Sequence, residues 1–167
     1  MHLPTKKIIW LAAGLLVLTA GLLQAKNKEE KKMSKKSPID TIFAQGDVNP
    51  YSKFFTGTTY LNMLNPKDDV FQAPIGNVTF EPGARTHWHK HAGGQILPVL
   101  NGEGRYQEKD KEIRHLKKGD IVLIAPDVEH WHGAAPDSWF VHISLETNAH
   151  KNGSTTWLDP VTDKEYK

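Results

Sequence analysis

The feature that most constrains this chain is a histidine pair, His89 and His91, followed by the turn 92–94 and Gln95. Side chains two residues apart on a strand point to the same face, so both imidazoles can reach one point. The turn, Ala-Gly-Gly, lets the backbone bend back so that the Gln95 amide oxygen returns to that point. His130, in the run A-P-D-V-E-H-W-H, can complete a set of four ligands and leave positions open for water or substrate. The sequence therefore predicts a metal site.

A single histidine in such a sequence is more often a solvated or hydrogen-bonded core residue, and only the group predicts a metal. The chain of 167 residues contains no cysteine, so thiolate ligands and disulfides are excluded. Imidazole, amide or carboxylate ligands favour a borderline or hard divalent ion. Three imidazoles and one amide are neutral, so the ion would keep its full charge and act as a strong electrophile.

Two motif spacings resemble those of the cupin superfamily. G-x5-H-x-H-x3-Q-x6-G runs from Gly83 to Gly102, with Gln95 where that family's first motif usually has Glu, and Gly119 precedes His130 by the separation of the second motif. V-T-F-E-P-G-A-R-T, W-H-K-H, H-W-H-G-A-A-P and a closing V-T-D-x-x-Y resemble small single-domain bacterial cupins. These include manganese-dependent (R)-selective hydroxynitrile lyases and cupins described as carboxymuconolactone decarboxylase-like. The resemblance covers about residues 50–166.

The resemblance implies a ligand set and a metal. The implied ligands are His89, His91, Gln95 and His130. The implied metal is a divalent ion, Mn²⁺ first, with Fe²⁺, Ni²⁺ and Zn²⁺ as alternatives.

The pattern after residue 38 is that of an all-β domain. Short β-branched and aromatic runs alternate with turns and no helical period is evident, which predicts a sandwich or barrel; the resemblance narrows this to a cupin-type jelly roll. The run 51–64 is predicted as an edge strand pair or arm, and Pro98 as an irregular point within its strand. Trp88 and Trp131 alternate with the ligands and are predicted to face the core.

The N-terminus differs from the rest in composition. Residues 1–25 carry a basic start, an apolar run from Ile8 to Ala25 and a small residue at its end, which predicts a secretory signal or, if uncleaved, a membrane anchor. Residues 26–38 are predicted to be a lysine-rich disordered linker and 39–167 the cupin domain. The protein is thus expected to be exported or anchored, or cytoplasmic if translation starts at Met33.

Charge and composition limit the classes of binding partner that are expected. The net charge of +2 belongs to the N-terminal region, because residues 38–167 hold 13 Lys and Arg against 17 Asp and Glu. No nucleic-acid binding is therefore predicted. The expected partners are a small-molecule substrate and further copies of the chain, as a homodimer or larger even assembly, with membrane contact only through an uncleaved N-terminus.

Two further histidines are candidates for proton transfer. His142, in W-F-V-H-I-S-L, is either a hydrogen-bonded core residue or a general base; a pocket histidine at this position in the resembling lyases implies the base. His132 lies two residues after His130, so it is either an acid or base or a partner that orients a ligand. Both alternatives stay open for His132.

Four residues are candidates for the substrate pocket. His87 lies two residues before His89 and is predicted at the cavity mouth, and Arg85 is predicted either to anchor a substrate carboxylate or to pair with Glu81. The remaining two candidates are Thr86 and Val78.

Three function classes follow. The first is a metal-dependent lyase or isomerase acting on a small hydroxy or carbonyl compound, with the metal as Lewis acid and a histidine base. The second is a dioxygenase, disfavoured because Gln95 is neither the carboxylate nor the fourth histidine usual for redox iron in cupins. The third is a non-catalytic binding protein, against which His132 and His142 argue.

Overall fold

The computed structural model describes residues 37–66, 70–149 and 155–167, and these residues form an almost entirely β structure. A single 3-10 turn, Ser52–Phe54, and one short helix, α1 (Asp163–Tyr166), are its helical elements in the described part of the chain. The strands are β1 (Asp47–Val48), β2 (Phe55–Thr56), β3 (Thr59–Asn65), β4 (Ile75–Phe80), β5 (Arg85–Thr86), β6 (His89–Lys90), β7 (Gln95–Glu108), β8 (Arg114–Lys117), β9 (Ile121–Ile124), β10 (His130–Ala134), β11 (Phe140–Glu146) and β12 (Thr156–Trp157).

The strands form two antiparallel sheets that share one long strand, β7. The first sheet runs in the order β1-β3-β4-β11-β7-β9. The second sheet runs in the order β8-β7-β10-β5-β2. Strand β6 also pairs with β10, next to β5, and β12 pairs with β6. This arrangement is a jelly roll, so the predicted all-β jelly roll is confirmed.

Strand β7 passes from one sheet to the other at Gly102. Its first half pairs with β9 and β11 and its second half with β8 and β10. Gly102 has a φ of +76°, and a Cβ there would overlap the carbonyl oxygen of Trp139. Glycine is therefore the residue that permits this left-handed bend against a neighbouring backbone.

The core is built from strands of both sheets. The largest fully buried apolar members include Phe80, Leu97 and Phe140. Burying side chains of this size contributes about 1.5–3 kcal/mol each. The Phe80 ring of this core also packs against His132 and His142, so the core supports the buried histidines.

A second apolar cluster holds the C-terminal segment on the outside of the second sheet. Trp88 and Trp131 pack there against Val161 and Tyr166, so the prediction that both tryptophans are core residues is confirmed. Helix α1 begins with a capping box between Thr162 and Glu165. The segment thereby covers the strands that carry the histidines.

The run 51–64 differs from its prediction as an edge pair or arm. Gly57, with a φ of +80°, turns the chain between β2 and β3 and sends them to different sheets. Strand β3 pairs on both sides, with β1 and β4, so it is not an edge, whereas β2 ends the second sheet. The predicted irregularity near Pro98 lies slightly further on, where β11 skips a residue of β7 between Val99 and Asn101.

The predicted signal or anchor and most of the predicted linker lie outside the described residues. Among the residues that the structure describes, no helix has the length and apolar character needed to cross a membrane. The predicted domain boundaries and even-numbered assembly stay predictions.

Candidate metal centre

A cavity of about 340 Å³ opens between the two sheets, with histidines at one end and mainly apolar side chains along its walls. Its polar end is formed by His89, His91, Gln95 and His132, with Ser144 and Glu146 beside them. The remaining lining residues are Asn49, Tyr51, Phe55, Leu61, Met63, Pro74, Gly76, Val78, Thr86, Thr155 and Trp157.

His89 and His130 are held by backbone carbonyl oxygens. His89 Nδ1 lies 2.9 Å from the carbonyl oxygen of His87, and His130 Nδ1 lies 2.9 Å from that of Val128. A carbonyl oxygen only accepts, so each Nδ1 carries the proton and donates it. In the neutral rings Nε2 is therefore a free lone pair, which is the form that binds a metal.

Burial keeps these rings neutral. Burial lowers the pKa of His130 to about 4, and burial together with the neighbouring His130 lowers the pKa of His89 well below its usual value. At neutral pH both rings thus present a lone pair rather than a proton.

His91 hydrogen-bonds to one side-chain oxygen and lies beside a second. Its Nδ1 lies 3.3 Å from Thr155 Oγ1 and 3.6 Å from Glu146 Oε1, and these two oxygens are themselves 3.3 Å apart. Its Nε2 is buried and has no hydrogen-bond partner among the described residues. A buried nitrogen without a partner at the head of a cavity marks a position where a bound group is expected.

Gln95 is oriented by a serine on the neighbouring strand. Its amide nitrogen donates to Ser144 Oγ at 2.8 Å, which turns Oε1 towards His130 Nε2 at 3.1 Å. Two acceptors at this distance repel each other unless a cation or a proton lies between them. The pair therefore also favours a shared cation.

His132 and His142 form a pair beside this group. His142 Nε2 lies 3.1 Å from His132 Nδ1, and both rings are buried. Burial lowers the pKa of His142 to about 4, and burial and the adjacent His142 lower that of His132 well below its usual value. His132 lines the cavity, whereas His142 lies one hydrogen bond behind it.

Two overlapping sets of residues can hold a metal. Ring nitrogens of His89, His130 and His132 lie within 4.8 Å of one another, so the closest cluster contains His132 and not the predicted His91. A metal-bound histidine usually donates its other N–H to an oxygen. His89, His91 and His130 each have such an oxygen, but His132 has an imidazole there. The hydrogen bonds thus favour the predicted set over the cluster.

The residues present fit a divalent metal. The predicted donors are neutral nitrogen and oxygen atoms, which suit borderline first-row ions. His89, His91 and Gln95 line one end of the cavity, and His130 adjoins them through the contact of its Nε2 with Gln95 Oε1. His91 Nε2 has no hydrogen-bond partner among the described residues. Positions towards the cavity stay available for a small molecule.

Two of the four pocket candidates require correction. Arg85 points away from the cavity: its guanidinium donates to the Val161 carbonyl at 3.0 Å and pairs with Asp163 at 2.7 Å, and not with Glu81. His87 is not in the cavity lining either, because the strand is interrupted between β5 and β6 and the two-residue alternation does not continue across the gap. Thr86 and Val78 do line the cavity.

Several lining residues were not foreseen from the sequence. Trp157 of β12 pairs with His89 and its ring centroid lies 4.8 Å from that of His89. Ser144 and Glu146 follow His142 at spacings of two, and this alternation could have indicated them. No comparable signal marks Thr155 or Trp157, since β12 is only two residues long.

The chain is similar to proteins of known family. The profile of the cupin domain matches residues 76–142. Over 129 residues the chain is 37% identical to the (R)-mandelonitrile lyase of Granulicella tundricola, covering 77% of this chain and 98% of that protein. A crystal structure of a cupin-like protein from Thermotoga maritima is 52% identical, with a TM-score of 0.73, and the match covers 76% of this chain and 95% of that one. A cupin-2 domain from Rhodospirillum rubrum, 14% identical over 79% of this chain and 86% of its own, shares the fold at a TM-score of 0.56. The sequence similarity and the double-sheet roll together show that this chain belongs to the cupin family.

Proposed function

We propose that this cupin is a metal-dependent lyase acting on a small hydroxy or carbonyl compound, with cleavage of a cyanohydrin as the first candidate reaction. The observation that carries the proposal is the buried His132–His142 pair beside His89 and His130, with His132 and His89 lining the head of one cavity. The similarity to a protein named (R)-mandelonitrile lyase supports the reaction class.

The metal in this proposal is Mn²⁺, held by His89, His91, Gln95 and His130. A divalent ion bound there would supply Lewis acidity towards a substrate oxygen. The protein's own contribution is to keep His89 and His130 neutral through burial, and to orient the three imidazoles through the oxygen atoms at their Nδ1 positions.

Proton transfer in this proposal belongs to His132, with His142 holding its other nitrogen. His132 is the imidazole of the pair that lines the cavity, and its neutral form can take a hydroxyl proton. In cyanohydrin cleavage the O–H and C–CN bonds break and a carbonyl bond forms. The cyanide leaves with the electron pair of its bond and takes up the proton, so the products are an aldehyde and hydrogen cyanide.

The cavity walls set the kind of molecule that enters. Phe55, Leu61, Val78 and Trp157 surround the space beyond the polar end. A substrate with one oxygen-bearing carbon and an apolar or aromatic body matches this division. These walls also reduce the water near the reacting atoms.

The test is a turnover assay of metal-stripped protein reloaded with Mn²⁺, Fe²⁺, Ni²⁺ or Zn²⁺. Mandelonitrile and aliphatic cyanohydrins are offered, and aldehyde and cyanide are measured together. We expect activity that requires the metal, is greatest with Mn²⁺ and favours one enantiomer. His89→Ala should remove it, whereas His115→Ala, an exposed histidine on β8, should retain it. Oxygen uptake with Fe²⁺ would support the dioxygenase alternative, and ligand binding without turnover of any cyanohydrin, aldehyde or deoxy-keto sugar would contradict the proposal.

A further inference from the structure

Strand β11 contacts the polar end of the cavity with three alternate residues. Alternate side chains of a strand share one face, so these three point towards the same space. Each contacts a different residue of the site: His142 contacts His132, Ser144 contacts Gln95, and Glu146 lies against His91. The contact of Glu146 has no part in the proposed reaction as described above.

Glu146 places a carboxylate at the rim of the polar end. Its backbone pairs with Gln95 across β11 and β7, and its side chain is 27% exposed. Among the described residues that line the cavity it is the only Asp or Glu, and no Lys or Arg lines the cavity with it. Its Oε1 lies 3.6 Å from His91 Nδ1, and Thr155 Oγ1 lies 3.3 Å from each of these two atoms.

We propose that Glu146 is a positioning residue that acts through His91 and raises the affinity of the site for a divalent metal. The inference rests on the metal site of the proposed function, but not on its reaction. Thr155 Oγ1 accepts from His91 Nδ1–H and donates to Glu146 Oε1, so the carboxylate acts through Thr155 to hold the His91 ring and direct its partnerless Nε2 into the site. It also adds a negative charge next to a ligand set that is otherwise neutral.

The physical basis is the pairing of a carboxylate with a metal-binding imidazole. Such a carboxylate fixes the tautomer and the ring orientation and makes the other nitrogen a stronger donor, and its loss typically lowers metal affinity about 10–100-fold. The low exposure of Glu146 matters because partly buried charges are screened less than surface charges. The charge of Glu146, and not only its shape, should therefore determine how much it raises the affinity for the metal.

The experiment is a calorimetric titration of metal-stripped protein with Mn²⁺ alone, in the absence of any substrate. Glu146→Gln keeps the length of the side chain but removes its charge, and Glu146→Asp keeps the charge but shortens the side chain. Glu112→Gln makes the same charge change at an exposed position between β7 and β8 and serves as the matched control. Melting temperatures measured with a chelator confirm that each variant is folded.

We expect Glu146→Gln to weaken Mn²⁺ binding about 10–100-fold, Glu146→Asp to weaken it less, and Glu112→Gln to leave it unchanged. Equal affinity in Glu146→Gln and the unaltered protein would overturn the inference. A larger loss in Glu146→Asp than in Glu146→Gln, or an equal loss in Glu112→Gln, would also overturn it. Because no substrate is present, a protein that binds Mn²⁺ as expected but cleaves no cyanohydrin would contradict only the reaction; no Mn²⁺ binding at all would contradict both proposals.

Discussion

At the scale of single residues, the site depends on which nitrogen of each imidazole carries a proton. Oxygen atoms at the Nδ1 positions of His89, His91 and His130 leave Nε2 as the unprotonated nitrogen in the neutral form of each ring. His132 differs, because its Nδ1 meets His142 instead. In the proposed function the same residue type thus takes two roles, and the hydrogen-bond partner distinguishes them.

This division predicts the effect of removing His142. His142→Ala should leave metal content unchanged, because His142 contacts none of the proposed ligands through a hydrogen bond. Turnover of the substrate cleaved by the unaltered protein should fall by up to about 10²–10⁴, the usual contribution of general acid–base catalysis, because His132 loses the partner that fixes its tautomer and orientation. Steady-state kinetics with metal analysis on the same sample measures both. Unchanged turnover would mean that His142 is only a hydrogen-bonded core histidine.

Which residues could be foreseen from the sequence depends on how local the geometry is. His89, His91 and Gln95 lie within one short strand and turn, and His130 shares the face of a continuous strand with His132, so alternation brings them together. His87 was assigned to the cavity mouth by the same alternation, which fails where the strand is interrupted at residues 87–88. The two-residue spacing in the sequence does not show which way a side chain points once the strand is interrupted.

At the scale of elements, the turn between β6 and β7 brings His91 and Gln95 to the same point. Gly93 lies in this turn, and a Cβ there would overlap the carbonyl oxygen of Thr147. The hydroxyl of Thr147 also donates to the Gly93 carbonyl at 2.7 Å. The turn is therefore packed directly against the segment after β11 and cannot accept a side chain without moving.

We therefore predict that Gly93→Ala destabilises the protein by about 3 kcal/mol, as overpacking does, and also weakens metal binding. Gly83→Ala is the matched comparison, because Gly83 has a φ of +77° but no atom within 4 Å of an added Cβ. It should cost only about 1 kcal/mol of backbone strain and leave the metal bound. Denaturant unfolding with and without metal measures both effects, and equal losses in the two variants would contradict the close packing of the turn.

Elements formed by contacts between distant residues were the least predictable. Strand β12 pairs Trp157 with His89, across most of the domain, and only its tertiary contacts define it as a strand. Likewise, Arg85 contacts the C-terminal segment instead of lining the cavity, and its guanidinium carbon lies 4.5 Å from the centroid of the Tyr166 ring. No pattern near Arg85 in the sequence contains this information.

At the scale of the whole molecule, the fold buries several neutral histidines together. For His130 and His142, burial lowers the pKa from 6.5 to about 4. Because the folded-state pKa is lowered, the full stability is present above pH 6.5 and is lost as the pH falls towards 4. Each of the two groups accounts for about 3 kcal/mol of that loss.

The metal-free protein should therefore unfold more easily in mild acid. We expect its melting temperature, measured with a chelator, to fall steadily between pH 6.5 and pH 4, and His142→Gln to reduce the size of that fall. Calorimetry at a series of pH values makes the measurement. A melting temperature that is constant over this range would contradict the burial of neutral imidazoles.

The central claim is that His89, His91, Gln95 and His130 hold a divalent metal while His132 faces the substrate. The most direct test is the manganese content per chain of His91→Ala and His132→Ala, each reloaded with Mn²⁺ and passed through gel filtration, beside the unaltered protein. The account predicts one ion per chain in the unaltered protein and in His132→Ala, and a strongly reduced content in His91→Ala. Retained metal in His91→Ala together with lost metal in His132→Ala would contradict it and assign the ion to the cluster of His89, His130 and His132.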